Sequence, residues 1–102
     1  MIIATRTLRL IGDDGDVEVP VTIHMPVKDD RAWRCDYGIG WPHKPRVHRA
    51  LGVDAVQALQ LAMLSIGIDL HTSPYHRSFQ LIFEEDDPDY GFPTELQTEA
   101  DL

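Results

Sequence analysis

His71, Tyr75, His76 and Arg77 fall within the seven residues H-T-S-P-Y-H-R, the densest group of side chains able to do chemistry in the chain. Imidazole titrates near neutrality, and guanidinium grips carboxylate or phosphate at two points. The group is therefore a candidate ligand-binding or acid–base site. The same residues also have a structural explanation, because cations are favoured at a helix C-terminus and a Thr-Ser-Pro turn stops a helix. Metal chemistry finds less support. His43 and His48 are five apart, as are His71 and His76, whereas a spacing of four aims two imidazoles at one ion from a helix. Cys35 alternates with Trp33 and Tyr37 on what reads as an inward face, the position of a small buried hydrophobe rather than of a metal ligand or nucleophile. Gly38-Ile39-Gly40 runs into Trp41-Pro42 without a third glycine, so it is not a dinucleotide loop. There is no P-loop and no nucleophile elbow. No catalytic residue, metal or cofactor is assigned on these grounds, and an enzyme is the less favoured class.

The elements that must position these residues follow from periodicity. Ile2 to Ile11 reads as a first strand, and Asp14-Gly15 as a hairpin signal. Val17, Val19, Val21, Ile23 and Met25 then alternate with polar residues, the pattern of a strand with one dry face. Pro20 lacks an amide donor, which predicts an edge or a bulge. After a turn around Lys28 to Asp30, the stretch from Trp33 to Trp41 alternates again, giving a three-stranded antiparallel meander. Pro42 to Arg49, P-H-K-P-R-V-H-R, reads as a basic loop. A helix follows, with Asp54 as its cap, Gln57 completing a capping box and Val53 as the staple. Val56, Leu59, Met63, Ile66 and Leu70 recur at helical spacing as its core face. Leu61, Leu64 and Ile68 form a second apolar stripe, and Gln57, Gln60, Ser65 and Asp69 a narrow polar edge. Phe79 to Phe83 reads as a final strand after Pro74. The expected fold is α+β, strand-strand-strand-helix-strand, with one helix across the sheet. The second stripe is wider than one sheet face needs, and a self-complementary apolar patch favours a twofold dimer.

A chain of 102 residues allows one domain, read as residues 1–90 followed by an acidic tail at 91–102. The net charge of −8 is unevenly placed: all nine Lys and Arg precede Glu84, and eight acids lie from Glu84 onward. That segment repels nucleic acid and anionic lipid. Lys44, Arg46 and Arg49 beside Trp41 have the local chemistry of nucleic-acid contact, but the acidic tail is expected to neutralise them. A lone cysteine fits a reducing cytoplasm, and neither a secretory signal nor a membrane-spanning run is recognised.

Trp33, Cys35, Tyr37 and Ile39 in W-x-C-x-Y-x-I, then G-V-D-A-V-Q-A-L from Gly52 to Leu59, Ile66-Gly67, and Y-G-F-P from Tyr90 to Pro93, resemble a family of small uncharacterised bacterial proteins. The resemblance covers most of the chain. It implies a bacterial origin and one compact domain, and it carries no activity. The functional expectation is a small cytoplasmic binding module acting as a homodimer through Leu61, Leu64 and Ile68, with a protein partner. The alternative is a small-molecule or enzymatic site at His71, Tyr75, His76 and Arg77.

Overall fold

A computed structural model describes residues 1–84 and 89–95. The described residues form six strands and two helices: β1 (Ile2–Leu10), β2 (Val17–His24), β3 (Val27–Asp29), β4 (Ala32–Ile39), β5 (Arg46–Gly52), α1 (Ala55–His71), α2 (Pro74–Arg77) and β6 (Leu81–Ile82). All pairings are antiparallel, and one helix of any length lies on one face of the sheet. The class is the expected α+β, but the sheet has six strands rather than a three-stranded meander plus one.

The additions have physical causes. β2 and β3 pair with the same side of β4, and between the Ile23–Tyr37 and Val27–Arg34 pairs one strand advances four residues while the other advances three. The surplus residue is a bulge at Met25-Pro26, where a missing amide does no harm. Asp30, at φ 57°, sits in the two-residue turn from β3 to β4, a left-handed position that Asp tolerates. β5, read from the sequence as part of a loop, pairs with β4 from Trp33–Gly52 to Ile39–Arg46 and forms the sheet edge.

β2 is central, contrary to the edge or bulge expected from Pro20. Pro20 lies just past the Val21–Ile39 pair where the β4 ladder ends, so its missing donor is not needed. Its carbonyl accepts from the Gly40 amide at 2.8 Å. A Cβ on Gly40 would crowd the Pro20 ring, so this glycine makes room for a neighbouring strand.

α1 runs along β4 and β5. The Asp54 cap forms as expected, accepting from the Gln57 amide at 2.8 Å, while Gln57 reaches one residue further back than a capping box requires and accepts from the Val53 amide at 2.7 Å. The buried face is different from the expected one. Ala58, Ala62, Ile66 and Leu70 are fully covered, whereas Val56 is 73% exposed. Alanine lets the helix approach the sheet closely, and a Cβ on Gly52 would collide with the Ala58 backbone. Below the helix lie Leu8, Val19, Val21, Cys35, Tyr37 and Ile39. Leu81 and Ile82 add the short β6 to β1. The expected strand is trimmed because Phe79 adopts φ 60° and lies exposed.

The remaining cover comes from the chain after β6. Tyr90 and Phe92 are buried in the common core. Phe92-Pro93 lies against α1 at Gly67, where a Cβ would run into the Pro93 carbonyl.

Candidate functional site

The turn out of α1 divides the histidine-rich group in two. Thr72 and Ser73 return their hydroxyls to the Ile68 and Leu70 carbonyls at 2.8 and 2.7 Å, and Ser73 then accepts from the His76 amide to begin α2 at Pro74. His71 and His76 come together, ring centroids 4.6 Å apart. Tyr90 joins them: its hydroxyl pairs with His76 Nδ1 and its ring lies 5.3 Å from His71. Burial raises the Tyr90 pKa, keeping the hydroxyl protonated and able to donate. Asp89 Oδ1 stands 3.5 Å from His71 Nε2. Tyr75 turns the other way, with its hydroxyl 2.9 Å from His43 Nδ1 and its ring 5.3 Å from Trp41. Arg77 is exposed. The structure therefore unites His71 and His76 and sends Tyr75 and Arg77 elsewhere. Tyr90 and Asp89 are the additions that the sequence did not suggest. Among the described residues no three His, Cys, Asp or Glu side chains are grouped to hold a metal ion.

A second polar cluster locks helix to sheet. Asp69 Oδ2 accepts from the Tyr37 hydroxyl at 3.1 Å and from Arg46 Nε at 2.8 Å. Burial, followed by the Asp69 charge, raises the Tyr37 pKa, and the hydrogen bond to Asp69 raises that of Arg46. Asp69 thus faces inward although the helical pattern set it on the polar edge. The signal available in the sequence was Tyr37 itself, whose hydroxyl needs a partner once the ring is buried. Cys35 is buried, its thiol directed at the His24 carbonyl at 3.3 Å, and burial raises its pKa.

The basic segment belongs to the exposed edge. On β5, Val47 is 80% exposed and Leu51 is 55% exposed, with Arg49 between them opposite Asp36 of β4. The alternation Val47, Arg49, Leu51 was legible, but the surrounding cations and Pro45 favoured a loop reading. On α1, Leu61 and Leu64 are half-buried and Ile68 is exposed. Helical geometry places Leu61 roughly 120° around the axis from Gly67. The flank bearing Gly67 is closed by Phe92-Pro93, and by the same geometry Ile68 lies roughly 100° and Leu64 roughly 60° from Gly67 on the side of Leu61.

These features define a small α+β protein built on a single sheet and helix, with one helix flank sealed by its own chain and an apolar, cationic strand edge left uncovered. The chain belongs to the family "Domain of unknown function (DUF6968)", whose model matches residues 4–94. No curated protein and no solved structure matches it. No helix among the described residues is long and apolar enough to cross a membrane.

Proposed function

We propose that the protein works by binding, as a homodimer that continues its sheet across β5 and carries a protein partner. The observation that supports this most is the exposure of Val47 and Leu51 on an edge strand whose outer side pairs with no described residue. An exposed apolar edge strand is a template for another strand. A twofold axis through Arg49 would set Val47 of each copy opposite Leu51 of the other, an isologous contact in which both apolar residues are covered. Asp36 beside each Arg49 offsets the approach of the two cations. The same axis brings the two α1 helices side by side, because α1 runs along β5, and Leu61, Leu64 and Ile68 become its second contact. The acidic stretch from Glu84 onward, eight carboxylates without a base, would attract a basic protein partner. The one cysteine, buried and unable to pair within the chain, supports a reducing compartment such as the cytoplasm.

The test is light scattering on wild-type protein, Val47→Arg and Leu64→Glu. Wild type is expected to elute at twice the chain mass of 11.6 kDa. Both variants are expected to be folded monomers, since a charge is expensive only where an interface closes over it. A wild-type monomer would overturn the reading.

The proximity of His71, His76 and Tyr90 favours a second reading, a small-molecule or acid–base site at the end of α1. His71→Ala and His76→Ala separate the two: the dimer is indifferent to both, whereas a ligand retained through purification would be lost with either.

A further inference from the structure

β1 breaks its own pattern at one position. Leu8 and Leu10 are buried on the face toward α1, and two residues earlier on the same face stands Arg6. No carboxylate pairs with it among the described residues. Instead its guanidinium lies 4.6 Å from the Phe83 ring centroid and 5.3 Å from that of Phe92, and donates to the Tyr90 carbonyl at 3.0 Å. A guanidinium has five N–H donors in a planar fork. Among the described residues one of its nitrogens is hydrogen-bonded and its Cζ lies over the Phe83 and Phe92 rings, so the remaining donors are those a ligand would take.

Among the described residues Arg6 is the one charged residue lining a groove of about 280 Å³, whose other walls include Ile3, Val21, Ile23, Leu59, Met63 and Phe92. Small-molecule sites have this composition: predominantly apolar walls with a single well-placed polar group that fixes orientation. A groove of this size, just under the usual ligand-pocket range of about 300 to 1,000 Å³, suits a short acyl chain rather than a long one. The structure assigns this groove as a binding site for a small amphiphilic carboxylate, a linear acyl chain of about eight carbons, its carboxylate on Arg6 and its chain along Ile23, Leu59 and Met63. Charge complementarity selects the head group, and the apolar walls select the tail. The site is separate from the β5 edge, shares Tyr90 with the histidine cluster through the Arg6 hydrogen bond, and uses residues from β1, β2, α1 and the segment at Phe92.

Calorimetric titration of the full-length protein with octanoate, 1-octanol and octylammonium tests the assignment. Octanoate is expected to bind with one site per chain and at least tenfold more tightly than octylammonium. Arg6→Gln is expected to weaken octanoate at least tenfold and octanol less than twofold. Ala4→Leu, at an exposed residue lining the groove, adds carbon to the cavity without touching the core and is expected to weaken both ligands. Absence of octanoate binding at millimolar concentration overturns the proposal. So does binding that survives both substitutions, or an equal loss of octanoate and octanol in Arg6→Gln, which would remove Arg6 as the carboxylate contact.

Discussion

The two flanks of α1 carry similar apolar weight and are treated in opposite ways. On one, Gly67 lets Phe92-Pro93 lie flat against the helix, and Phe92 is only 5% exposed. Further round the helix Leu61 and Leu64 are half-buried and Ile68 is exposed, while the neighbouring β5 turns Ala50 and Gly52 toward α1 and shows Val47 and Leu51 on the opposite face of the sheet. The first flank is satisfied within the chain. In our proposal the second is satisfied by another copy. Burial of a large side chain is worth about 1.5 to 3 kcal/mol wherever its cover comes from, but only intermolecular cover makes that gain depend on concentration.

The largest effect separating the flanks is expected from Phe92→Ala, which should cost about 3 to 5 kcal/mol in urea unfolding through the cavity it opens. That loss should be the same in monomer and dimer. Between the flanks, Tyr37→Phe removes one of the two hydrogen bonds to Asp69 and should cost about 1 to 3 kcal/mol by leaving buried polar capacity unmet. Asp54→Ala should cost about 1 kcal/mol through the lost helix cap. Smallest for the isolated chain is Val47→Arg, expected within about 0.5 kcal/mol because the residue is exposed in the monomer. Its effect should appear instead as loss of the concentration dependence of the wild-type midpoint.

Alkaline pH offers a further probe of the closed flank. Burial raises the Tyr90 pKa above its ordinary 10.0. The neutral hydroxyl is the form that the fold favours, so this contribution is fully present below the unfolded pKa and is lost as pH rises through the folded one. Wild-type stability should fall above about pH 10. Tyr90→Phe should be less stable at neutral pH, having lost its bond to His76, and should show a shallower alkaline decline. An unchanged slope would mean that Tyr90 titrates as freely in the fold as out of it.

The legible parts of the fold were those in which one rule acted alone. β1, β2 and β4 alternate cleanly, and the Asp54 cap on the Gln57 amide is a local motif, so both are present as read. The core face of α1 was misread because hydropathy ranks Val56 above Ala58, while close helix–sheet packing rewards the smaller side chain. β5 was missed because its apolar alternation is interleaved with Arg46, His48 and Arg49, which an edge strand keeps as protection. Within H-T-S-P-Y-H-R the sequence brought four residues into one segment, but the Ser73-Pro74 turn sends Tyr75 toward His43 and His76 toward Tyr90. Sequence proximity could not show Tyr90 or Asp89 there. Nor could it show Arg6, whose aromatic partners lie more than seventy residues away.

The most direct test of the two-flank account is hydrogen exchange followed by mass spectrometry over a wide range of protein concentration. The account predicts that amides of β5 slow as concentration rises while those of β4, paired on both sides within the chain, do not change, and that Val47→Arg abolishes the slowing. Exchange in β5 that is independent of concentration, in a protein that stays monomeric throughout, would contradict it.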